Sequence, residues 1–159
     1  ITDKQKLVKQ MNSNVFIFTI SNGLIIDDIP DIKTIIVTPT IHYSPFFASC
    51  VHQNTITLRY PYSKTNQNDI TKITNIGRAL SDENRLNMLK VLAKGKYNLT
   101  ELATEIGTSK ANIHHHLLFL RIAGLLNIHE IGDKLFFYYS LNTNFPDMLK
   151  EQLNTFLQE

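Results

Sequence analysis

The chain has 159 residues, of which 43% are hydrophobic and 19% are charged, which excludes disordered and fibrous proteins and fits one globular domain or two small ones. Sixteen Lys and Arg residues against 14 Asp and Glu residues leave a net charge of +2, so the total charge does not indicate a nucleic-acid ligand. The single cysteine, Cys50, excludes an internal disulfide and favours a reducing, cytoplasmic location. No apolar run approaches the ~18–20 residues that span a bilayer, so no membrane contact is expected.

Residues 1–65 are predicted to form a short helix, at about 3–11, followed by a small, mostly β region. Apolar residues come there in short runs rich in β-branched and aromatic side chains, which is typical of strands. The runs are 15–20, 24–26, 35–37 and 55–60, separated by the turn Ser21-Asn22-Gly23 and by Pro30, Pro39 and Pro45. Because the chain begins with Ile1 rather than Met, we expect further residues upstream.

The polar segment 61–69 reads as a linker, and residues 66–159 are predicted to form a second domain that begins with helices. Apolar residues recur at helical spacing between Ile70 and Leu80. A second helix is predicted after the start signal Ser81-Asp82-Glu83. Its apolar face comprises Leu86, Met88, Leu89, Val91 and Leu92.

Ala103, Gly107 and Ile113, within residues 99–126, have the spacing of a helix-turn-helix. Asn98 and Glu101 stand in a capping-box arrangement at the start of the first helix, which is predicted to end at Gly107. The small Ala103 allows close helix crossing, and Ile113 is placed to fill the angle between the helices. The second helix is predicted to begin at Ser109, a residue type that caps helices.

Projection of the second helix at 100° per residue separates a core side from an outer side. Ile113, Leu117, Leu120 and, at the margin, His116 fall on the core side. Ala111 and His115 point away, with Asn112 and His114 beside them. Between Ile106 and His129 the charged residues are Lys110 and Arg121, so the local field is positive, as phosphate binding requires.

Two strand-like runs follow, Leu125–Ile131 and Lys134–Leu141, around the hairpin-type turn Gly132-Asp133. A hairpin directly after such a helix is a wing, and Lys134 at its tip is a candidate phosphate contact. A last helix is predicted from about Asp147 to Leu157, after Pro146.

These segments together resemble the winged-helix domain of the ArsR family of bacterial transcriptional repressors. The resemblance covers about residues 70–142 and is carried by LSDENRLNMLKVL, HHHLLFLRIAGLL and IGDKLFFYYSL. It implies an α+β fold and a homodimer, built from the first and last helices of the domain, that binds a two-fold DNA operator until an unknown effector releases it. The upstream stretch IKTIIVTPTIHYSPFFASCVHQNTITLRYP is similar to the N-terminal domain of some larger members.

The chain departs from the family pattern in two ways. Metal-sensing members carry a cysteine pair in the first helix of the helix-turn-helix or His and carboxylate ligands in the last helix, whereas residues 98–106 hold no Cys or His and residues 146–159 no His. We therefore expect no metal and no cofactor. The second departure is the apolar group Leu118, Phe119 and Ile122 near the exposed side of the helix. It is expected to lie under the wing, to pack against the N-terminal layer and change DNA affinity through it, or to contact thymine methyl groups.

Other candidate sites have simpler explanations. His114, His115 and His116 point about 100° apart on a helix, so they do not converge on one ion, and His116 is expected at the core edge with a hydrogen-bonded ring nitrogen. Cys50, with His52 and His42, is interpreted as a buried structural thiol rather than a ligand set. Asp27, Asp28 and Asp31 are interpreted as loop carboxylates, and no catalytic constellation is present.

The sequence therefore predicts a sequence-specific DNA-binding repressor that is not an enzyme. Lys110, Arg121 and Lys134 are expected to contact phosphates, and Ser109, Ala111, Asn112, His114 and His115 to contact base edges. Because histidine titrates near ~6.5, binding is expected to tighten as the pH falls toward ~6. The alternative is a winged-helix module that binds another protein, which the low net charge favours and which salt dependence distinguishes.

Overall fold

The computed structural model describes residues 13–27, 33–42, 47–61, 69–131 and 136–158. The helices are α1 (Ser13–Ser21), α2 (Asp69–Leu80), α3 (Glu83–Leu92), α4 (Leu99–Ile106), α5 (Lys110–Ile122) and α6 (Phe145–Gln158). The strands are β1 (Leu24–Asp27), β2 (Thr34–Thr40), β3 (Ala48–His52), β4 (Thr55–Pro61), β5 (Tyr97–Asn98), β6 (Leu126–Ile131) and β7 (Phe136–Leu141). The α+β fold class predicted from the sequence is confirmed.

The chain divides into two compact units. The first comprises residues 1–63 and 128–136, and the second comprises residues 64–127 and 137–159. The predicted helix at 3–11, most of the linker and the turn at Gly132-Asp133 lie outside the described residues. None of the described helices is long and apolar enough to cross a membrane.

The predicted strand at 15–20 is wrong, because these residues lie in α1. A continuous apolar run does not distinguish a strand from a buried helix by periodicity. The chain reverses after α1 with Asn22 and Gly23 at positive φ, and the Gly23 amide donates to the Phe18 carbonyl at 3.0 Å. This bond is the Schellman helix ending, so the Asn-Gly pair that suggested a turn between strands in fact ends a helix.

Strand β1 pairs in parallel with the second half of β6, from Leu24 opposite Ile128 to Asp27 opposite Ile131. Sequence patterns did not predict this pairing, because it joins segments about 100 residues apart. Leu24 and Ile128 are both buried, and the Ile128 amide donates to the Gly23 carbonyl at 2.8 Å. Ile128, His129 and Glu130 of β6 are thereby part of the interior of the first unit.

A second sheet of the first unit has the strand order β2-β4-β3. Strand β4 is central, parallel to β2 and antiparallel to β3, and buries Ile56, Leu58 and Tyr60 at alternate positions. The strands predicted at 35–37 and 55–60 are confirmed. Cys50 on β3 is exposed, so its assignment as a buried structural thiol is wrong.

The second unit confirms the helices predicted from local signals. Asp82 caps α3, accepting a hydrogen bond from the Arg85 amide at 3.0 Å. Asn98 and Glu101 form the predicted capping box of α4. Gly107 ends α4 at φ 75°, in the left-handed region that favours glycine.

Apolar residues of four helices and of the start of the wing fill the core of the second unit. Those less than 2% exposed include Met88, Leu92, Leu102, Ile113, Leu120, Leu125 and Leu126. Ile70, predicted on the apolar face of α2, is 61% exposed instead. The two-residue strand β5, which sequence patterns missed, pairs antiparallel with β7.

Strands β6 and β7 are neighbours in one sheet and supply the predicted wing. The chain enters β6 through a Schellman ending of α5, in which Gly124 has a φ of 72° and the Leu125 amide donates to the Leu120 carbonyl at 3.0 Å. The Asn142 amide in turn donates to the Leu125 carbonyl at 2.9 Å, which closes the base of the wing. Helix α6 begins slightly before its predicted start and buries none of its residues fully.

Candidate nucleic-acid interface

Helices α4 and α5 form the helix-turn-helix predicted from the sequence. Ile113 is fully buried and Ala103 is 9% exposed, as expected for a residue that fills the inter-helix angle and one that allows close crossing. The amides of Gly107 and Thr108 both donate to the Ala103 carbonyl at 3.0 Å. These bonds fix the turn before α5, and with it the direction in which α5 leaves.

The first turns of α5 present an exposed face without acidic residues. Ser109, Lys110, Ala111, His114 and His115 are all exposed on it. The Ser109 hydroxyl accepts from the Asn112 amide at 3.2 Å, so Ser109 caps the helix as predicted. Unsatisfied amides and the helix dipole make such a helix start attractive to an anion.

Asn112 lies at the margin of this face and is half-buried. Its side-chain amide donates to the Thr108 hydroxyl at 3.0 Å. This bond ties the Asn112 side chain to the turn and restricts its rotamers.

Arg121 is at the other end of α5 and is half-buried. Burial lowers the pKa of Arg121, and the nearby Tyr139 opposes that shift. Burial also raises the pKa of the Tyr139 phenol, so this hydroxyl keeps its proton at neutral pH. The Arg121 guanidinium is thus partly withdrawn from the surface, unlike Lys110. Lys134 lies outside the described residues.

The core side of α5 includes His116, which is buried together with Leu117 and Leu120. Its Nδ1 lies 3.8 Å from Asp82 Oδ1 and makes no hydrogen bond within the described part of the chain. The predicted burial is therefore confirmed, but the expected ring hydrogen bond is not made by Nδ1. The pKa of Asp82 is lowered, chiefly because its carboxylate accepts from the Arg85 amide, with further help from the charges of Arg85 and His116.

The three consecutive histidines do not converge. His114 and His115 are exposed and His116 is buried, and the rings of His115 and His116 are 6.0 Å apart between centroids. Among the residues that the structure describes, no group of three or more His, Cys, Asp or Glu side chains is placed to hold a metal ion.

The apolar group Leu118, Phe119 and Ile122 is half-buried. The Phe119 ring is covered by the Arg85 guanidinium, 4.8 Å from the ring centroid, a contact that none of the sequence-based explanations included. Arg85 is the residue that sequence reasoning missed. It stands three and seven positions before Met88 and Leu92, in phase with the buried face of α3, and this phase was the available signal.

The chain is similar in sequence to known bacterial regulatory proteins. A family model described as bacterial regulatory protein, arsR family, matches residues 82–127. The transcriptional repressor SdpR of Bacillus subtilis is 34% identical over 85 residues, an alignment that covers 54% of this chain and 89% of SdpR.

More distant matches include a curated regulator and a solved structure. The cadmium resistance transcriptional regulatory protein CadC of Listeria innocua is 27% identical over 107 residues, covering 67% of this chain and 87% of CadC. The crystal structure of NolR from Sinorhizobium fredii overlaps at 23% identity with a TM-score of 0.43, covering 62% of this chain and 93% of that one.

Proposed function

Because the chain belongs to the ArsR family of bacterial regulatory proteins, whose members are transcriptional regulators, we propose that it represses transcription by placing α5 in the major groove of an operator. The observation that carries this proposal is the exposed face at the start of α5, which is free of acidic side chains and includes Lys110. A helix of this kind, held by a helix-turn-helix, reads base edges with its N-terminal residues. The role is regulatory rather than catalytic, and the site of action is the cytoplasm.

The side chains proposed to contact DNA form two groups, those that contact phosphates and those that contact bases. Lys110, at the helix start, contacts a phosphate and fixes the position of the protein on the duplex, and Ser109 beside it contacts a base edge. Ala111 contacts a thymine methyl group, while Asn112, His114 and His115 hydrogen-bond to base edges. Arg121 and Lys134 supply further phosphate contacts, and Arg121 contributes less than the exposed Lys110 because it is half-buried.

We also propose that the protein acts as a homodimer assembled through α2 and α6. Helix α6 has no fully buried residue, yet Leu153, Phe156 and Leu157 are exposed on it, and Ile70 is exposed on α2. Exposed apolar residues on two contacting helices fit an interface. A two-fold dimer then reads two half-sites of an operator. In this proposal the domain boundary lies between residues 65 and 66, and the second domain carries both DNA binding and dimerisation.

The proposal is tested by fluorescence anisotropy with the full chain. The probes are a labelled duplex from the region upstream of its own gene and a scrambled duplex of equal composition, each at two salt concentrations. Binding is expected to prefer the native duplex and to weaken steeply with salt, because each phosphate contact releases a counterion. Binding to neither duplex at low salt contradicts the proposal and favours a module that binds another protein.

Lys110→Ala sharpens the test, with Lys150→Ala as the control, since Lys150 is an exposed lysine of α6. Removal of one phosphate contact lowers the magnitude of the slope of log affinity against log salt by about 1 per protomer and weakens binding to both duplexes alike. Lys150→Ala is expected to leave the slope unchanged. Equal slopes for the two variants would show that Lys110 does not approach the phosphates.

A further inference from the structure

Phe119 of α5 has a partner on each side. The Arg85 guanidinium of α3 lies over its ring at 4.8 Å from the centroid, a cation–π distance. The His115 imidazole, one helical turn earlier on α5, meets the same ring edge-to-face, with centroids 5.2 Å apart and planes at 78°, the arrangement that aromatic pairs prefer. Phe119 therefore connects a buried cation to an exposed imidazole.

Arg85 is anchored independently of α5. Its Nε donates to the Ala79 carbonyl at 2.8 Å and its Nη2 to the Arg78 carbonyl at 2.7 Å. These carbonyls belong to the last turn of α2, where helix carbonyls lack intrahelical partners and carry partial negative charge. The same guanidinium places Nη1 3.8 Å from Asp82 Oδ2. The position of the cation is thus set by the corner between α2 and α3.

His115 is exposed and lies on the face that the proposed function assigns to DNA. An exposed side chain ordinarily loses rotamer freedom when it binds, at a cost of about 0.5–1.5 kcal/mol. A ring held against Phe119 has lost part of that freedom on folding, so less remains to be lost on binding.

We propose that Arg85 and Phe119 are positioning residues that hold the His115 imidazole in the orientation in which it reads a base edge. This inference rests on the proposed function. Preference for one DNA sequence then depends on three residues of two helices, Arg85, His115 and Phe119. Of these, Arg85 and Phe119 act without touching DNA.

The aromatic ring, rather than apolar volume alone, is what the proposal requires. Phe119→Leu keeps an apolar side chain of similar reach but removes the ring face and edge. Phe119→Tyr keeps the ring. Arg85→Lys keeps the positive charge but loses the planar fork that donates to the Arg78 and Ala79 carbonyls.

The experiment measures, for the full chain, the ratio of dissociation constants on the scrambled and native duplexes. Phe119→Leu is expected to lower this preference about threefold to tenfold. This factor corresponds to the free-energy cost of fixing the rotamer of His115 on binding. Phe119→Tyr is expected to retain the preference for the native duplex within about twofold. The preference of Arg85→Lys is expected to lie between those of the Leu and Tyr variants. In a His115→Ala background, Phe119→Leu is expected to have less than about a twofold further effect, because its action passes through His115.

A spectroscopic readout tests the contact itself. The NMR signals of the His115 ring protons feel the ring current of Phe119, so they are expected to move in Phe119→Leu and to stay near their wild-type positions in Phe119→Tyr. A merely structural role for Phe119 would alter many core signals in both variants and would not single out His115.

Three results would overturn the inference while leaving the proposed function intact. They are a folded Phe119→Leu variant with wild-type preference, an equal loss in the Leu and Tyr variants, and an undiminished effect of Phe119→Leu in the His115→Ala background. Absence of preference in the wild-type chain would instead overturn the proposed function, and with it this inference. The two failures are therefore distinguishable from the wild-type titration.

Discussion

The two units of the molecule differ in how their elements are specified. In the second unit, caps, a helix-ending glycine and apolar periodicity each lie within a few residues of the element they define, as at Asp82, Asn98 and Gly107. In the first unit β1 gains its partner from the distant β6, and β2 pairs with β4 across β3, which intervenes in the sequence. Local signals therefore specify the surface proposed to contact DNA, whereas the N-terminal layer depends on long-range pairing.

Two buried charged residues, one in each unit, differ in how their polar atoms are satisfied. Arg85, buried in the second unit, donates to two backbone carbonyls. Glu130, fully buried in the first unit, has no hydrogen-bond partner for either carboxylate oxygen within the described residues. We therefore expect substitutions in the second unit to affect DNA binding and dimerisation. In the first unit we expect removal of the Glu130 carboxylate to raise the free energy of unfolding.

The largest expected effect is on DNA binding by Ala111→Glu. A carboxylate on the exposed face of α5 meets the negative duplex, and juxtaposed like charges cost several kcal/mol, so affinity should fall about 100-fold or more. Fluorescence anisotropy measures this loss. Asn87→Glu is the control, because it adds the same charge at an exposed site of α3; an equal loss in the control would mean that total charge, not the α5 face, governs binding.

The next effect is on dimerisation. Phe156→Ser removes from each protomer an apolar side chain whose burial is worth about 1.5–3 kcal/mol, so the dissociation constant of the dimer should rise at least about tenfold. Sedimentation equilibrium over a concentration series measures it. The control is Thr155→Ser, an exposed neighbour on α6. An unchanged dimer in Phe156→Ser would place the interface elsewhere.

A stabilising effect is expected in the first unit from Glu130→Met. Burial raises the pKa of Glu130. The nearby Ser49 hydroxyl, which falls short of a full hydrogen bond to the carboxylate, only partly opposes this shift. A buried polar group without a hydrogen bond costs about 1–3 kcal/mol, so Met, of similar volume, should raise the free energy of unfolding by about that amount near pH 7. Glu105→Met is the control at an exposed site of α4.

The pH dependence of this effect has a definite sign. The unfolded carboxyl ionises near its usual pKa of 4.5, while the folded one keeps its proton to higher pH. The part of the penalty that comes from ionisation is therefore absent well below pH 4.5, grows as the pH rises through that window, and is complete above the raised pKa. Urea unfolding at acidic and neutral pH should show an advantage of Glu130→Met that shrinks on acidification; an advantage independent of pH would rule out the carboxylate as its cause.

The smallest expected effects are changes in the free energy of unfolding caused by substitutions at two glycines of the second unit. Gly107 has a φ of 75°, so Gly107→Ala should lower the free energy of unfolding by about 1–2 kcal/mol. Gly77 lies inside α2 with open space around a built Cβ, so Gly77→Ala should raise it by about 0.5–1 kcal/mol. Thermal unfolding measures both changes. Effects of the same sign would contradict the assignment of Gly107 as a helix ending.

Particular residues show what the sequence could and could not predict. The burial of Ile113, Leu117 and Leu120 followed from helical periodicity, because one helix face repeats with a fixed period. The 15–20 run was assigned to a strand, because its β-branched residues agree with either element and its neighbours decide the outcome. Glu130 was not predicted to be buried, because its burial depends on the pairing of β6 with β1, which no local pattern records.

The exposed side of α5 was predicted residue by residue, but its support was not. Ala111, His114 and His115 are exposed as the projection required. The contact of Arg85 with Phe119 was missed because it joins two helices 34 positions apart, and an arginine in an otherwise polar stretch carries no sign of its partner. The roles of these side chains toward DNA stay predictions.

The most direct test of the central claim is to map the DNA-binding surface by NMR, following the backbone amide signals of the full chain as the native duplex is added. We expect the largest shifts on residues 109–115, at the start of α5, with smaller changes toward Arg121 and the wing. Tight binding with the largest shifts in β2, β3 and β4, or no shifts in α5 at all, would contradict it.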